Sequence, residues 1–125
     1  MRPATLADVA AETRRGESFD FGLRNFLDGF RARPSQEAID REPELLAGLV
    51  EGGAVFDAYL AATAEALASE LRLETPAWTR QPGRALREPW FAVPWAGMRA
   101  ILLLESPAAF RSRNLFVSAN ALARA

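Results

Sequence analysis

The chain is 125 residues long, half of them apolar and a quarter charged, with a formal net charge of −1. That is the make-up of one globular domain, large enough to bury a core without covalent staples. It has no cysteine and no histidine, and all 15 basic residues are arginine, which excludes disulfides, thiol and imidazole chemistry, Schiff-base lysines and phosphate-loop lysines.

Proline and glycine divide the sequence into short helices. The first covers 5–15, with Thr5 as cap, Asp8 three residues later and Gly16 as stop. Its apolar face (Leu6, Val9, Ala10) is thin. Residues 1–16 are therefore expected as a loosely attached element that docks late, frays or reaches a second copy of the chain, a homodimer being one outcome. Residues 17–125 are expected as one helical domain. Within it, 18–32 opens on Ser18 and carries Phe19, Leu23, Phe26, Leu27 and Phe30 at helical spacing, a core stripe. Phe21 lies off that stripe. Gly22 and Gly29 cost helix propensity, which points to a close contact that needs them.

Residues 35–53 read as a short helix capped by Ser35, a break at Pro43 and a turn into Gly52-Gly53. The strongest helix follows at 54–73. Val55, Phe56, Tyr59, Leu60, Thr63, Leu67 and Leu71 form its stripe, and its alanines allow a neighbouring helix to approach closely. Asp57, Glu65 and Glu70 are assigned to the solvent side. From 74 to 97 the periodicity fails among Pro76, Pro82, Pro89, Pro94 and the three tryptophans, with one helical turn near 81–86. An irregular stretch this long inside one domain is often functional. "AGMRAILLLE" (96–105) reads as a buried helix, with a buried strand as the alternative for so short an apolar run. Ser106 and Pro107 give the start signal of a helix to 113, 114–117 is an extended link, and Ser118 caps a last short helix.

The expected fold is thus all-α, a single compact domain of five to seven short helices around the 18–32 and 54–73 pair. The Trp/Pro-rich segment wraps over one side. The first sixteen residues carry charges where a signal peptide needs an apolar core, and "AILLLE" is far too short to span a bilayer, so a cytoplasmic protein without a membrane partner is expected.

Candidate chemistry is sparse. Glu105 beside Ser106 could act as base and nucleophile, but a capping serine next to a solvated acid has the same sequence. "EAIDREPE" (37–44) has the charge of a calcium loop without its glycine turn. No catalytic, cofactor or metal site is expected, and the protein is read as a non-enzyme.

Charge is distributed unevenly. Residues 1–74 hold eight Arg against fourteen acids, a net of −6, and 75–125 hold seven Arg against Glu88 and Glu105, a net of +5. This reads either as a polar binding face or as two halves that pair with one another. Arg99, Arg111, Arg113, Asn114 and Arg124 make a DNA-binding regulator the alternative, although the chain as a whole is acidic and no helix bears a dense arginine row.

Trp78, Trp90, Phe91 and Trp95, with Arg80, Arg84 and Arg87 between them, have the composition of an interface hot spot. The competing reading folds the indoles inward as a lid over the 54–73 helix. The expected partner-binding residues are Trp78, Trp90, Phe91, Trp95, Arg99, Arg111, Arg113 and Asn114. The mechanism would be occlusion, with indoles in an apolar recess and arginines on carboxylates.

The tail "ESPAAFRSRNLFVSANALARA" (105–125), with "VFDAYLAATAEALA" (55–68), "PAWTRQP" (76–82) and "EPWFAVP" (88–94), resembles a group of short bacterial proteins encoded beside a nucleotidyltransferase-like toxin. The resemblance implies an antitoxin-like neutralising partner of that toxin-like enzyme. It brings no set of binding residues; Phe110, Arg111, Arg113, Asn114 and Ser118 match its recurring run.

Overall fold

Side-chain caps start the first three helices of the computed structural model, which describes residues 2–92 and 96–122, with the backbone alone at Ala96. Thr5 opens α1 (Leu6–Arg14) through a reciprocal box: its hydroxyl accepts the Asp8 N–H at 3.0 Å, and the Asp8 carboxylate accepts the Thr5 N–H at 3.1 Å. Ser18 accepts the Phe21 N–H ahead of α2 (Phe19–Ala32), and Ser35 accepts the Ala38 N–H ahead of α3 (Gln36–Asp40), both at 3.2 Å. Each such cap is worth about 1 kcal/mol.

The longest helix, α4 (Gly53–Leu71), starts without a side-chain cap. Gly52 takes the left-handed conformation (φ 76°), and the chain then passes so close to Leu46 that a Cβ on Gly53 would lie 2.1 Å from the Leu46 carbonyl oxygen. Only glycine fits that crossing.

Two apolar clusters meet at α4. On one side Leu60, Ala61, Ala64, Leu67 and Ala68 pack with α1, with the Phe19/Leu23/Phe26/Leu27/Phe30 stripe of α2 and with Trp78. On the other, Ala58 and Ala62 face Ala109, Phe110, Leu115 and Val117. Tyr59 touches both, meeting Phe19 and Phe110 edge-on at 5.9 and 5.0 Å between ring centroids. The alanines thin α4 enough to be covered from both sides.

The N-terminal helix shares this core. Leu6, Val9 and Ala10 are all fully buried, and its three-residue face, thin as it is, is wholly used against α2. The α1–α2 contact does not need the glycine expected to permit it at 22, since a Cβ there would meet the Val9 side chain at 3.7 Å, an ordinary contact distance.

The second half is held by short pieces. Two 3₁₀ turns, Ala77–Arg80 and Pro82–Arg84, lie along α4. A parallel pair joins β1 (Trp90–Phe91) to β2 (Leu115–Phe116), and between the strands come α5 (Ala96–Glu105) and α6 (Ala108–Arg111). The pairing is fastened by Trp90 N–H to the Asn114 carbonyl (2.8 Å) and Ala92 N–H to the Phe116 carbonyl (3.0 Å). The domain is all-α apart from this two-residue pair, and among the described residues no helix is long and apolar enough to cross a membrane.

Four readings from sequence need correction. Residues 96–105 are helical but not buried: Leu102 alone reaches the core, while Met98, Ile101, Leu103 and Leu104 stay exposed. The flank of α4 is filled by Phe110, Leu115 and Val117, and α5 packs against β2 instead, with Leu102 its one buried large side chain. Asp57, assigned to solvent, is fully buried, and Glu65 is half-covered in an ion pair. Ser106 is not the cap of the next helix. Its hydroxyl lies within reach of the Leu102 and Val117 carbonyls and accepts the Val117 N–H at 2.8 Å, pinning the end of α5 to the chain just after β2. Finally, residues 119–122 form turns rather than a helix, and 123–125 lie outside the described residues.

Candidate protein-docking face

Side chains alternate across a strand, so Trp90 and Phe91 point to opposite faces of the two-strand ribbon. Trp90, with its partner Leu115, turns toward α4 and the second apolar cluster, where it lines a shallow cavity of about 400 Å³ with Val55, Leu86 and Pro89. Phe91 turns the other way and stacks on Phe116 at 5.0 Å. On that side the guanidinium of Arg99, from the second turn of α5, lies 5.1 Å from the Phe91 ring centroid.

With Arg99, Leu102 and Ser106 facing the ribbon, helical spacing sends Ile101 and Leu104 outward. Leu104 is 84% exposed, Leu103 46%, Ile101 45% and Met98 36%. A ten-residue helix thus presents four large apolar side chains to its surroundings and buries one. Runs of this kind mark contact sites more often than ordinary surface.

Two of the expected contact residues are interior. Trp78 is 5% exposed, and its indole N–H donates to the Ile39 carbonyl at 3.0 Å. Here the lid reading holds. Arg113 is 7% exposed and ion-pairs with Glu65, while its other donors reach the carbonyls of Ala109 (2.8 Å) and Thr79 (3.1 Å). Asn114 is half-buried in the left-handed region (φ 63°), with its side-chain amide on the Leu86 carbonyl at 2.9 Å; it serves the turn into β2. Trp90 and Phe91 are half-buried, Arg99 and Arg111 are exposed, and Trp95 lies outside the described residues. The structure therefore brings Phe91 and Arg99 together beside α5 and takes Trp78 and Arg113 away from the surface.

The apolar side chains of α5 are the functional candidates that sequence reasoning missed. The signal was present: "AILLL" is apolar on every side of a helix, and such a helix must be surrounded or exposed.

A buried arginine holds the irregular segment against α4. Arg84 is 1% exposed; its Nη1 lies 3.8 Å from the Asp57 carboxylate, and its Nη2 donates to the Pro43 carbonyl. Its plane covers the Trp78 ring at 4.8 Å. Asp57 in turn accepts the N–H groups of Leu46 (2.7 Å) and Ala47 (3.0 Å). Burial pulls the Arg84 pKa below its ordinary value, and the charges of Asp57 and Glu42 oppose that pull. Burial, with the charge of Asp20 adding to it, pushes the Tyr59 phenol up to about 12.

Chemically, this is a locked interior. Among the described residues every buried side-chain N or O has a hydrogen-bond partner, and no group of three metal-ligating residues converges. Both Asp57 oxygens are committed to backbone amides, and the residue is sealed from solvent. Glu105 accepts the Ala119 N–H at 3.3 Å, while its neighbour Ser106 is buried and engaged with Leu102 and Val117, so the two do not form a base–nucleophile pair. No protein family, curated protein or solved structure matches the chain.

Proposed function

We propose that this protein is a non-catalytic binding module that lays α5 into an apolar groove of a protein partner. The observation that carries the reading is the four-residue apolar surface of α5, half of the eight large exposed apolar side chains among the described residues. Helix-in-groove recognition needs anchors one turn apart, which Ile101 and Leu104 supply. Burying a leucine fully is worth roughly 1.5–3 kcal/mol, so these anchors can outweigh the ordering costs of a transient complex only if the groove is apolar. Exposed Arg99 and Arg111 favour carboxylates on the groove's rim.

The resemblance of 105–125 to companions of a nucleotidyltransferase-like toxin supports an antitoxin-like role, in which α5 occludes the toxin-like enzyme. The arrangement is one of covering rather than of transforming. The test is co-purification with the product of the adjacent gene, using wild type, Leu104→Glu and Ile101→Glu. Wild type should form a defined complex, and each variant should lose it while keeping its helical circular dichroism. A complex indifferent to both variants, or none at all, would remove the proposal.

A further inference from the structure

On the acidic half of the chain lies a surface depression with no acid among its described lining residues. It is a cavity of about 310 Å³ between α2, the start of α3 and the segment before α1, with Phe30, Ala38 and Pro3 as an apolar floor and Arg2 and Arg33 at its edges. Residues 1–74 have a net charge of −6, yet neither guanidinium has a partner among the described residues. The exposed Arg2 reaches the cavity by laying its stem over Gly29, where a Cβ would approach its Cδ to 3.3 Å. A methyl at 29 would require the Arg2 stem to give by a few tenths of an ångström. Ser35 also lines the cavity; its oxygen accepts the Ala38 N–H, which leaves its O–H as a donor.

We propose that this cavity binds a carboxylate carried on a short apolar body, held by Arg2 and Arg33 with its apolar part on Phe30. The volume suits a small ligand, and an apolar floor with a few polar groups at the edge is the usual form of such sites. Planar guanidinium forks match carboxylate geometry. The chemistry is shared by a free organic acid and by the C-terminal carboxylate of a peptide ending in an apolar residue.

The experiment is an amide-resolved NMR titration of the full chain with 4-phenylbutyrate, with Ac-Ala-Leu-Phe bearing a free C-terminus, and with the neutral amide of each. Both acids should give saturable shifts around Phe30–Ala38 and both amides none. The tighter acid identifies the source, a metabolite or a protein terminus. Arg33→Gln should weaken binding about tenfold, the effect of one charge-assisted hydrogen bond, and the Arg2→Gln/Arg33→Gln pair should abolish it with the fold intact. Equal binding of acid and amide, no saturation with either acid, or affinity unmoved by the arginine variants would overturn the site.

Discussion

Replacing Arg84 with methionine tests whether the Trp/Pro segment is held by its ion pair. Methionine keeps most of the stem and so most of the packing. It removes the donor to Pro43, the 3.4 Å bond to the Asp57 carbonyl and the charge 3.8 Å from the Asp57 carboxylate. Asp57 is fully buried, so its carboxylate would be left with only the two amides of Leu46 and Ala47 as partners. Breaking a buried pair from one side typically costs about 3–5 kcal/mol, a fifth or more of the roughly 5–15 kcal/mol that a domain has in total. With a urea slope of about 2 kcal/mol/M, the unfolding midpoint should fall by about 2 M. The Asp57→Asn/Arg84→Met double variant should be less unstable than the sum of the single changes, with a coupling of about 1–3 kcal/mol. Chemical denaturation followed by circular dichroism at constant pH measures all four corners of this cycle. A loss under about 1 kcal/mol for Arg84→Met, or additive single effects, would show that the pair contributes no more than a surface bridge, and the reasoning would be wrong.

Other outcomes are equally specific. Gly53→Ala should destabilise by at least about 3 kcal/mol, because its methyl would have to displace the Leu46 carbonyl; near-native thermal stability would contradict the close crossing. Tyr59 is the single tyrosine, so phenolate absorbance reports it alone, and it should titrate near 12 while the fold persists. Its folded pKa lies above the unfolded value of about 10, so the stability it contributes is complete below pH 10 and is lost between 10 and about 12. Ionisation at 10 in the folded protein would show that the ring is solvated. Trp78→Phe should cost about 1–2 kcal/mol through the orphaned Ile39 carbonyl, whereas Phe21→Ala, at a residue 62% exposed, should stay within about 0.5 kcal/mol in the same denaturation assay.

How far the sequence could be read depended on how local each determinant was. The starts of α1, α2 and α3 are written in Thr5, Ser18 and Ser35, because a cap bonds within three residues. That 96–105 is helical was equally legible. That it is uncovered was not, because exposure depends on how much of α4 is already occupied by Phe110, Leu115 and Val117. Asp57 was misplaced for a different reason. Residues 57, 61, 64 and 68 share a helix face, and Ala61, Ala64 and Ala68 are buried there, so the spacing itself placed an acid on the core side. A buried acid needs donors, and the chain supplies them from 46, 47 and 84, positions that no local pattern links. The same non-locality hid the parallel pairing of β1 with β2 across 25 residues.

The charge asymmetry of the two halves changes meaning once those partners are known. Of the seven arginines in 75–125, Arg84 and Arg113 are interior and matched to Asp57 and Glu65 of the other half. Removing them leaves Arg80, Arg87, Arg99 and Arg111 against Glu88 and Glu105 on the described exterior, four minus two. That net of +2, or +3 when Arg124 is counted, is thin for a phosphate-binding surface, which draws its affinity from several simultaneous neutralisations. The asymmetry is thus in part an internal adhesive, the second half of the chain gripping the first through two buried guanidiniums. What remains distinctive outside is apolar, on α5, and an apolar helix with a few arginines beside it favours a protein groove over a nucleic-acid backbone.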